Sequence, residues 1–211
     1  MLPDDLKAKI SAELSNFKQK VKVLYLTRKT AYDLHLDGLR FIEDLAGLSD
    51  KLILVVHDMD EKPELAESCG VDKVPAYVLL AESGRDYGIR FFGIPSEYEV
   101  RSFVYALSLI AEPLEITSDS TLDNIIDFNR QVHIQVFVTP QCPVCAKAVR
   151  TAHLIAYVND KIRADMINVT EFPALAKKYS VQSTPKVILN DTVEFIGDEP
   201  AQTFLKAMNK L

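Results

Sequence analysis

Short apolar runs alternate with longer amphipathic stretches along the chain, most clearly in its second half. Residues 134–138 and 162–169 are apolar runs of strand length. Residues 143–159, which lie between them, carry apolar side chains every three or four positions, and this spacing predicts a helix. The predicted elements of this half are a helix at 122–128, strands at 134–138 and 162–169 around a helix at 143–159, a helix at 172–179, strands at 186–189 and 193–196, and a helix at 200–209.

The order of these elements predicts a mixed sheet. A helix between consecutive strands implies a parallel pair with a right-handed crossover. Asn190-Asp191 separates the last two strands and is a hairpin turn signal, so that pair is predicted to be antiparallel. The pattern therefore indicates an α/β unit of order βαβαββα with a leading helix.

The first half of the chain repeats this unit. Lys51 recurs as Lys161 and Pro75 recurs as Pro185, each 110 positions later. Several matches in one order indicate two copies of one supersecondary unit. The corresponding strands of the first copy include those predicted at 52–56, 77–80 and 89–92.

The two copies define the expected domain organisation. We expect one unit at 1–111 and a second at 118–211, joined near 112–118, where Pro113 and a polar run favour a linker. A length of 211 residues suits two units of this size.

Composition and charge exclude several classes of function. The 24 basic and 30 acidic residues give a net charge of −6, with no basic block, so the sequence predicts no nucleic-acid partner. The opening residues are acidic where a signal peptide needs positive charge. No apolar run approaches 18 residues, so we expect no membrane span and a cytoplasmic protein.

The cysteines are the residues that point to chemistry. Cys142 and Cys145 stand as Cys-Pro-Val-Cys directly after a predicted strand, whereas Cys69 is alone and is expected to pack in the core. A Cys-x-x-Cys motif of this kind indicates either half of a metal site or a redox pair. Structural zinc takes four ligands, and the chain has no second Cys-x-x-Cys. Its four histidines also lack ligand spacing; they are His35, His57, His133 and His153. The sequence thus favours a redox pair over a metal site.

The unit resembles the thioredoxin fold, since Cys-x-x-Cys follows the first strand and an X-Pro precedes the third. Two such units in tandem resemble the archaeal and bacterial protein disulfide oxidoreductases, also called glutaredoxin-like proteins. The segments that carry this resemblance are VFVTPQCPVCAKAVR at 136–150 and YGIRFFGIPSEYE at 87–99. The chain also resembles the N-terminal module of the alkyl hydroperoxide reductase flavoprotein, whose first unit has no redox pair. Here Thr30 and Asp33 stand where the first pair would be.

The spacing of the pair assigns a role to each cysteine. With Cys142 at the helix N-cap and Pro143 at N1, the sulfur would accept from the free N–H groups of Val144 and Cys145. The helix dipole also favours a thiolate at this position. Cys142 is therefore the predicted nucleophile, and Cys145, one turn deeper, is the predicted resolving cysteine.

The resemblance also implies roles beyond the cysteines. It implies that Pro185, and structurally Pro75, follow cis bonds, and that Pro185 faces the active sulfur. The backbone of Thr184 would then present itself to an extended substrate segment. Thioredoxins carry an acid six residues before the nucleophile, but Val136 stands there in this chain, and the sequence names no replacement.

These observations predict an enzyme, a thiol–disulfide oxidoreductase that needs no cofactor or metal of its own. Its expected task is electron transfer from a thioredoxin-reductase-like flavoprotein to a peroxiredoxin or another disulfide-containing protein. Two alternatives remain: a disulfide oxidase or isomerase of client proteins, or a docking module of a peroxiredoxin-reducing system. The first unit is accordingly either a docking surface or an architectural unit that covers the edge of the other sheet.

Overall fold

A computed structural model describes residues 2–28, 32–61, 63–112 and 119–211, with the side chains of 32–34 left out of the description. The elements of the first unit are α1 (Asp4–Leu14), β1 (Val21–Thr27), α2 (Tyr32–Ala46), β2 (Leu52–Asp58), α3 (Pro63–Ser68), β3 (Ala76–Ala81), β4 (Asp86–Phe92) and α4 (Glu99–Ala111). Those of the second are α5 (Ser120–Ile126), β5 (Val132–Val138), α6 (Cys145–Val158), β6 (Ile162–Asn168), α7 (Pro173–Lys178), β7 (Lys186–Leu189), β8 (Val193–Ile196) and α8 (Ala201–Met208). The predicted βαβαββα order is confirmed in both units.

All eight of these strands form one mixed sheet, in the order β2-β1-β3-β4-β6-β5-β7-β8. Within each unit the first two strands pair in parallel, and the third and fourth add antiparallel. The units join where β4 pairs in parallel with β6, with Ile89 opposite Ala164 and Phe92 opposite Ile167. The first unit thus covers one edge of the second sheet, as the architectural interpretation predicted.

The side chains of the strands alternate between two apolar layers. On β1, Tyr25 belongs to the larger layer, which also holds α4, α6 and α8, whereas Leu24 and Leu26 belong to a smaller layer under α3 and α7. The sheet is therefore covered by helices on both faces. The larger layer spans both units and includes both Cys142 and Cys145, so the redox pair is attached to the main core.

The division into units at 1–111 and 118–211 stays a prediction, and the expected linker at 113–118 lies outside the described residues. Across the described ranges, no helix combines the length and apolar character that a membrane crossing requires.

Candidate redox site

The candidate site lies at the carboxyl end of β5, where the chain turns into α6. Cys142 and Cys145 are joined there by a disulfide. The side chain of Cys145 is fully buried, whereas that of Cys142 is 8% exposed. Because disulfide exchange requires access to the attacked sulfur, this difference favours Cys142 as the sulfur that meets a substrate.

The start of α6 differs from the prediction. The sequence placed Cys142 at the N-cap, but the helix begins at Cys145 and Val144 is its N-cap. The N–H of Cys145 donates to the carbonyl oxygen of Cys142 at 3.3 Å, which closes a single turn before the α-helix. That N–H is therefore engaged by the backbone and does not donate to the Cys142 sulfur. The pair still lies at the positive end of the helix dipole.

The predicted substrate-binding residues lie beside the pair. The Thr184–Pro185 peptide bond is cis, as is Val74–Pro75 in the first unit, so both expected cis bonds are confirmed. The Sγ atom of Cys142 lies 3.7 Å from the carbonyl oxygen of Thr184. Since the disulfide sulfur carries no proton, this is a packing contact in the oxidised state. The hydroxyl groups of Thr139 and Thr184 lie 3.2 Å apart and tie the loop after β5 to the loop before β7.

Two exposed apolar side chains lie on the segments that flank Cys142 and Pro185. Val144 lies between the two cysteines and is 47% exposed, and Ile196, at the end of the edge strand β8, is 57% exposed. The next residue, Gly197, donates its N–H to the carbonyl oxygen of Pro185 at 2.9 Å, which places the end of β8 beside the cis proline. A partially apolar surface next to a reactive sulfur suits a protein substrate.

Two buried tyrosines contact α2 in the first unit. Tyr25 and Tyr77 stack at 4.9 Å between ring centroids, and their hydroxyl groups donate to the carbonyl oxygens of His35 and Gly38. Burial raises the pKa of Tyr25 to about 12 and the pKa of Tyr77 well above its usual value. Of the two residues expected to replace a redox pair, Thr30 lies outside the described residues, and of Asp33 only the backbone is described.

One buried acid on α4 was not predicted. Glu99, the first residue of α4, is 2% exposed, and its Oε1 atom has no hydrogen-bond partner in the described part of the chain. Burial raises the pKa of Glu99 to about 7, against the lowering effects of the hydroxyl of Ser102 and the charge of Arg150. Arg150 lies on α6, and α4 packs against α6, so the Glu99 carboxyl group is within electrostatic reach of the helix that carries Cys145.

The other predicted residues do not form a second site. Cys69 is free and partly buried, and it packs against the smaller apolar layer rather than inside it. His153 is buried within α6, eight residues beyond Cys145. Among the described residues, no group of three His, Cys, Asp or Glu side chains could hold a metal ion.

Comparisons with known proteins find relatives of the second unit and of most of the chain. A model of the thioredoxin domain matches residues 132–210. Thioredoxin of Methanocaldococcus jannaschii is 33% identical over 81 residues, which are 38% of this chain and 95% of that protein. The alkyl hydroperoxide reductase AhpF of Pseudomonas aeruginosa is 26% identical over 195 residues, which are 92% of this chain and 34% of that protein. The chain thus spans about a third of the length of this relative.

Two solved structures match nearly the whole chain. The NTD_N/C domain of alkyl hydroperoxide reductase from Enterococcus faecalis is 26% identical, with a TM-score of 0.92 over 99% of this chain and 100% of that one. A protein disulfide oxidoreductase from Aeropyrum pernix K1 is 26% identical, with a TM-score of 0.90 over 99% of this chain and 92% of that one.

The chain is thus built from two tandem thioredoxin-like units, the second of which carries the disulfide-bonded Cys-Pro-Val-Cys. The chain belongs to the thioredoxin family. Its similarity to the domain of alkyl hydroperoxide reductase and to the protein disulfide oxidoreductase confirms both resemblances drawn from the sequence.

Proposed function

We propose that the chain transfers electrons from a flavoprotein reductase to a peroxiredoxin through a single dithiol. The observation that carries this proposal is the Cys142–Cys145 disulfide, in which Cys142 is 8% exposed and Cys145 is fully buried, in a chain similar to part of an alkyl hydroperoxide reductase. One pair completes a two-electron shuttle, so a first unit without cysteines at the equivalent positions does not prevent turnover.

The exchange has two steps. The Cys142 thiolate attacks a substrate disulfide, so that a mixed disulfide forms and one substrate thiolate leaves. Cys145 then loses its proton and attacks the Cys142 sulfur, which forms the Cys142–Cys145 disulfide and releases the second substrate thiolate. Two electrons pass from the protein dithiol to the substrate, which is then protonated by solvent. A flavoprotein reductase returns two electrons to the protein disulfide.

Thr184 and Pro185 are the proposed contacts of the substrate backbone. The carbonyl oxygen of Thr184 lies at the Cys142 sulfur, at the border of the exposed surface that includes Ile196. An extended substrate segment beside this loop would place its own sulfur in line with Cys142 while its backbone pairs with Thr184.

Glu99 is the proposed acceptor of the Cys145 proton. Cys145 is fully buried, so its proton needs a partner inside the protein. Helix α4 packs against α6, and the charge of Arg150 on α6 acts on the Glu99 carboxyl group. A carboxyl group whose pKa is about 7 exists in both protonation states near neutral pH and can accept and return a proton.

Trapping of the substrate tests the proposal. In a Cys145→Ser variant the resolving thiol is missing, so the substrate should remain bound to Cys142 as a mixed disulfide. Affinity capture of this variant from a cell extract, followed by reduction and mass spectrometry, should yield a peroxiredoxin. The matched Cys142→Ser variant should release nothing upon reduction. Release of the same peroxiredoxin from Cys142→Ser would show that Cys142 is not the nucleophile.

A general protein disulfide oxidoreductase is the second candidate, because the Aeropyrum pernix protein of that name shares the architecture. Capture of many unrelated proteins on Cys142, without a peroxiredoxin among them, would support this function over the first. Oxidation of NADH or NADPH by a flavoprotein reductase, observed only when the protein and a peroxiredoxin are both present, would support the first.

A further inference from the structure

The first unit contains a groove that the exchange mechanism does not use. It has a volume of about 950 Å³, within the range of small-ligand and peptide sites. It lies between the start of α1, one side of α2 and the segment that joins β4 to α4. Its lining residues within the described ranges, called here the first-unit groove, are Leu2, Pro3, Leu6, Asp37, Arg40, Phe41, Glu43, Asp44, Ile94, Pro95, Ser96, Glu97 and Val100.

The floor of the groove is apolar and its rim is acidic. Leu6 and Ile94 are half-buried in the lining, and Phe41, which also lines the groove, is buried. Four carboxyl groups stand at the groove against the single guanidinium group of Arg40; they belong to Asp37, Glu43, Asp44 and Glu97.

These carboxyl groups are only partly neutralised. Asp44 accepts from the ammonium group of Lys7 and from the N–H of Leu2, both at 3.2 Å. Arg40 lies 3.4 Å from Asp37, and both side chains of that pair are about two-thirds exposed, so their mutual attraction is weak. Glu43 is exposed and forms no ion pair within the described part of the chain. The rim therefore keeps a net negative charge.

A hydrogen bond links the rim of the groove to the loop that carries Cys142. Glu97 lines the groove, and its Oε1 atom accepts from the side-chain amide of Gln141 at 3.0 Å. Gln141 immediately precedes Cys142. The next residue of the joining segment, Tyr98, is 41% exposed. A partner that reaches Cys142 thus meets the first unit at this contact, and a segment that follows it leads into the groove.

We propose that the first-unit groove binds a segment of the protein whose disulfide is exchanged at Cys142, and that this segment carries apolar side chains flanked by lysine or arginine. Apolar side chains match the floor, and cations match the acidic rim. The inference rests on the proposed function, since it concerns a partner of the same redox pair. It gives the first unit a role in choosing that partner.

Single-turnover oxidation of the reduced protein by synthetic peptides tests the inference. Three peptides would carry the same intramolecular disulfide: one with no extension, one with a Leu-Lys-Phe-Lys extension on a flexible linker, and one with Leu-Glu-Phe-Glu. Each reaction converts the protein dithiol to its disulfide and the peptide disulfide to a dithiol, so no other reductant is needed. Acid quenching, alkylation and mass measurement give the second-order rate constant. A linker series ensures that the extension can reach the groove.

We expect the lysine extension to raise the rate constant about tenfold over the peptide without extension, and the glutamate extension to give no gain. The gain should shrink with added salt because exposed charges are screened. In the Asp37→Lys/Glu43→Lys variant the gain should be lost. It should persist in Asp50→Lys/Glu82→Lys, which changes the charge equally at exposed positions outside the groove.

Equal rate constants for the two extended peptides, or a gain that survives in Asp37→Lys/Glu43→Lys, would overturn the inference. A dimer of the wild-type protein that dissociates in this variant, measured by sedimentation, would show that the groove holds a second copy instead. If the wild-type protein fails to react even with the peptide that lacks an extension, the proposed function itself is wrong. The two failures are therefore distinguishable.

Discussion

The Nε2 atom of His153 lies 3.3 Å from the carbonyl oxygen of Arg90 and joins the redox helix to the first unit. His153 belongs to α6, and Arg90 to β4 at the junction of the two half-sheets. The imidazole ring also packs against Phe91, with 4.7 Å between ring centroids. Burial lowers the pKa of His153 to about 4, against the raising effects of the Arg90 carbonyl and the charge of Asp165. The histidine is therefore neutral in the folded protein near pH 7.

This buried histidine should make stability fall on mild acidification. Its pKa is about 4 when folded and about 6.5 when unfolded, so between these values the unfolded chain binds more protons. The contribution of His153 to the free energy of unfolding is present above pH 6.5 and is lost as the pH falls towards 4. From pH 7 to pH 5 the free energy of unfolding should drop by about 2 kcal/mol relative to a His153→Leu variant. Urea denaturation of both proteins at several pH values measures the difference.

The comparison with His153→Leu is needed because Glu99 acts in the opposite direction. Its pKa is raised on folding, so its contribution to stability is present below pH 4.5 and is lost as the pH rises through 7. Both proteins contain Glu99, so its effect cancels. If the free energies of unfolding of the two proteins change in parallel with pH, the pKa of His153 is the same in the folded and the unfolded chain, and the prediction is wrong.

Reduced Cys142 should titrate well below a free cysteine. The sulfur lies before the first turn of α6, where the helix dipole favours a thiolate. We expect a pKa in the range of roughly 3.5–7.5 found at such positions, compared with about 8.5 for free cysteine. The rate of alkylation by iodoacetamide against pH, in a Cys69→Ser/Cys145→Ser background, measures it. A midpoint at the free-cysteine value would remove the chemical basis of the proposed function.

The elements of the fold were predictable because each leaves a local signal. Apolar runs mark the strands, and residues 143–159 show the spacing of a helix that buries one face. The predicted start of α6 was wrong by two residues. The Cys-Pro-Val-Cys motif predicts a helix capped by Cys142. In the structure the carbonyl oxygen of Cys142 instead accepts a hydrogen bond from the N–H of Cys145, which closes a separate turn before the helix. A choice between a cap and a turn depends on the surrounding loop, which the motif does not encode.

The tertiary parts of the site were less predictable. The register of β4 against β6 depends on packing between units that are far apart in sequence. Glu99 also escaped detection, because an acid in the first turn of a helix is ordinarily a solvated partner of the helix dipole. The local signal was that Val100 follows Glu99 and that Ser102 lies three residues beyond it. In the structure the Ser102 hydroxyl group donates to the backbone carbonyl oxygen and to the carboxyl group of Glu99.

Substitution of Glu99 should alter the pH dependence of the second exchange step. In the wild-type protein this step should accelerate as the pH rises through about 7, when the carboxylate becomes available. A Glu99→Gln variant should lose this inflection and should be slower at pH 7 by roughly 10²-fold, a typical contribution of general-base catalysis. Stopped-flow measurement of product release from a preformed mixed disulfide isolates the step. Unchanged profiles in Glu99→Gln would exclude Glu99 as the proton acceptor.

Substitution of Gly88 should destabilise the junction between the two units, where β4 pairs with β6. This residue has φ of +73°, and an added Cβ would lie 2.4 Å from the carbonyl oxygen of Ile162 at the start of β6. Gly84, in the turn between β3 and β4, provides a matched control. Its φ is +90°, but no atom lies within 4 Å of an added Cβ.

Gly84→Ala should therefore cost about 1–2 kcal/mol through backbone strain alone. Gly88→Ala should cost at least about 2 kcal/mol more, because a rigid backbone atom must move and β4 must shift against β6. Chemical denaturation measures both values. Equal costs for the two substitutions would mean that β4 and β6 can separate at this point without loss, and that the junction contributes little to the stability of the protein.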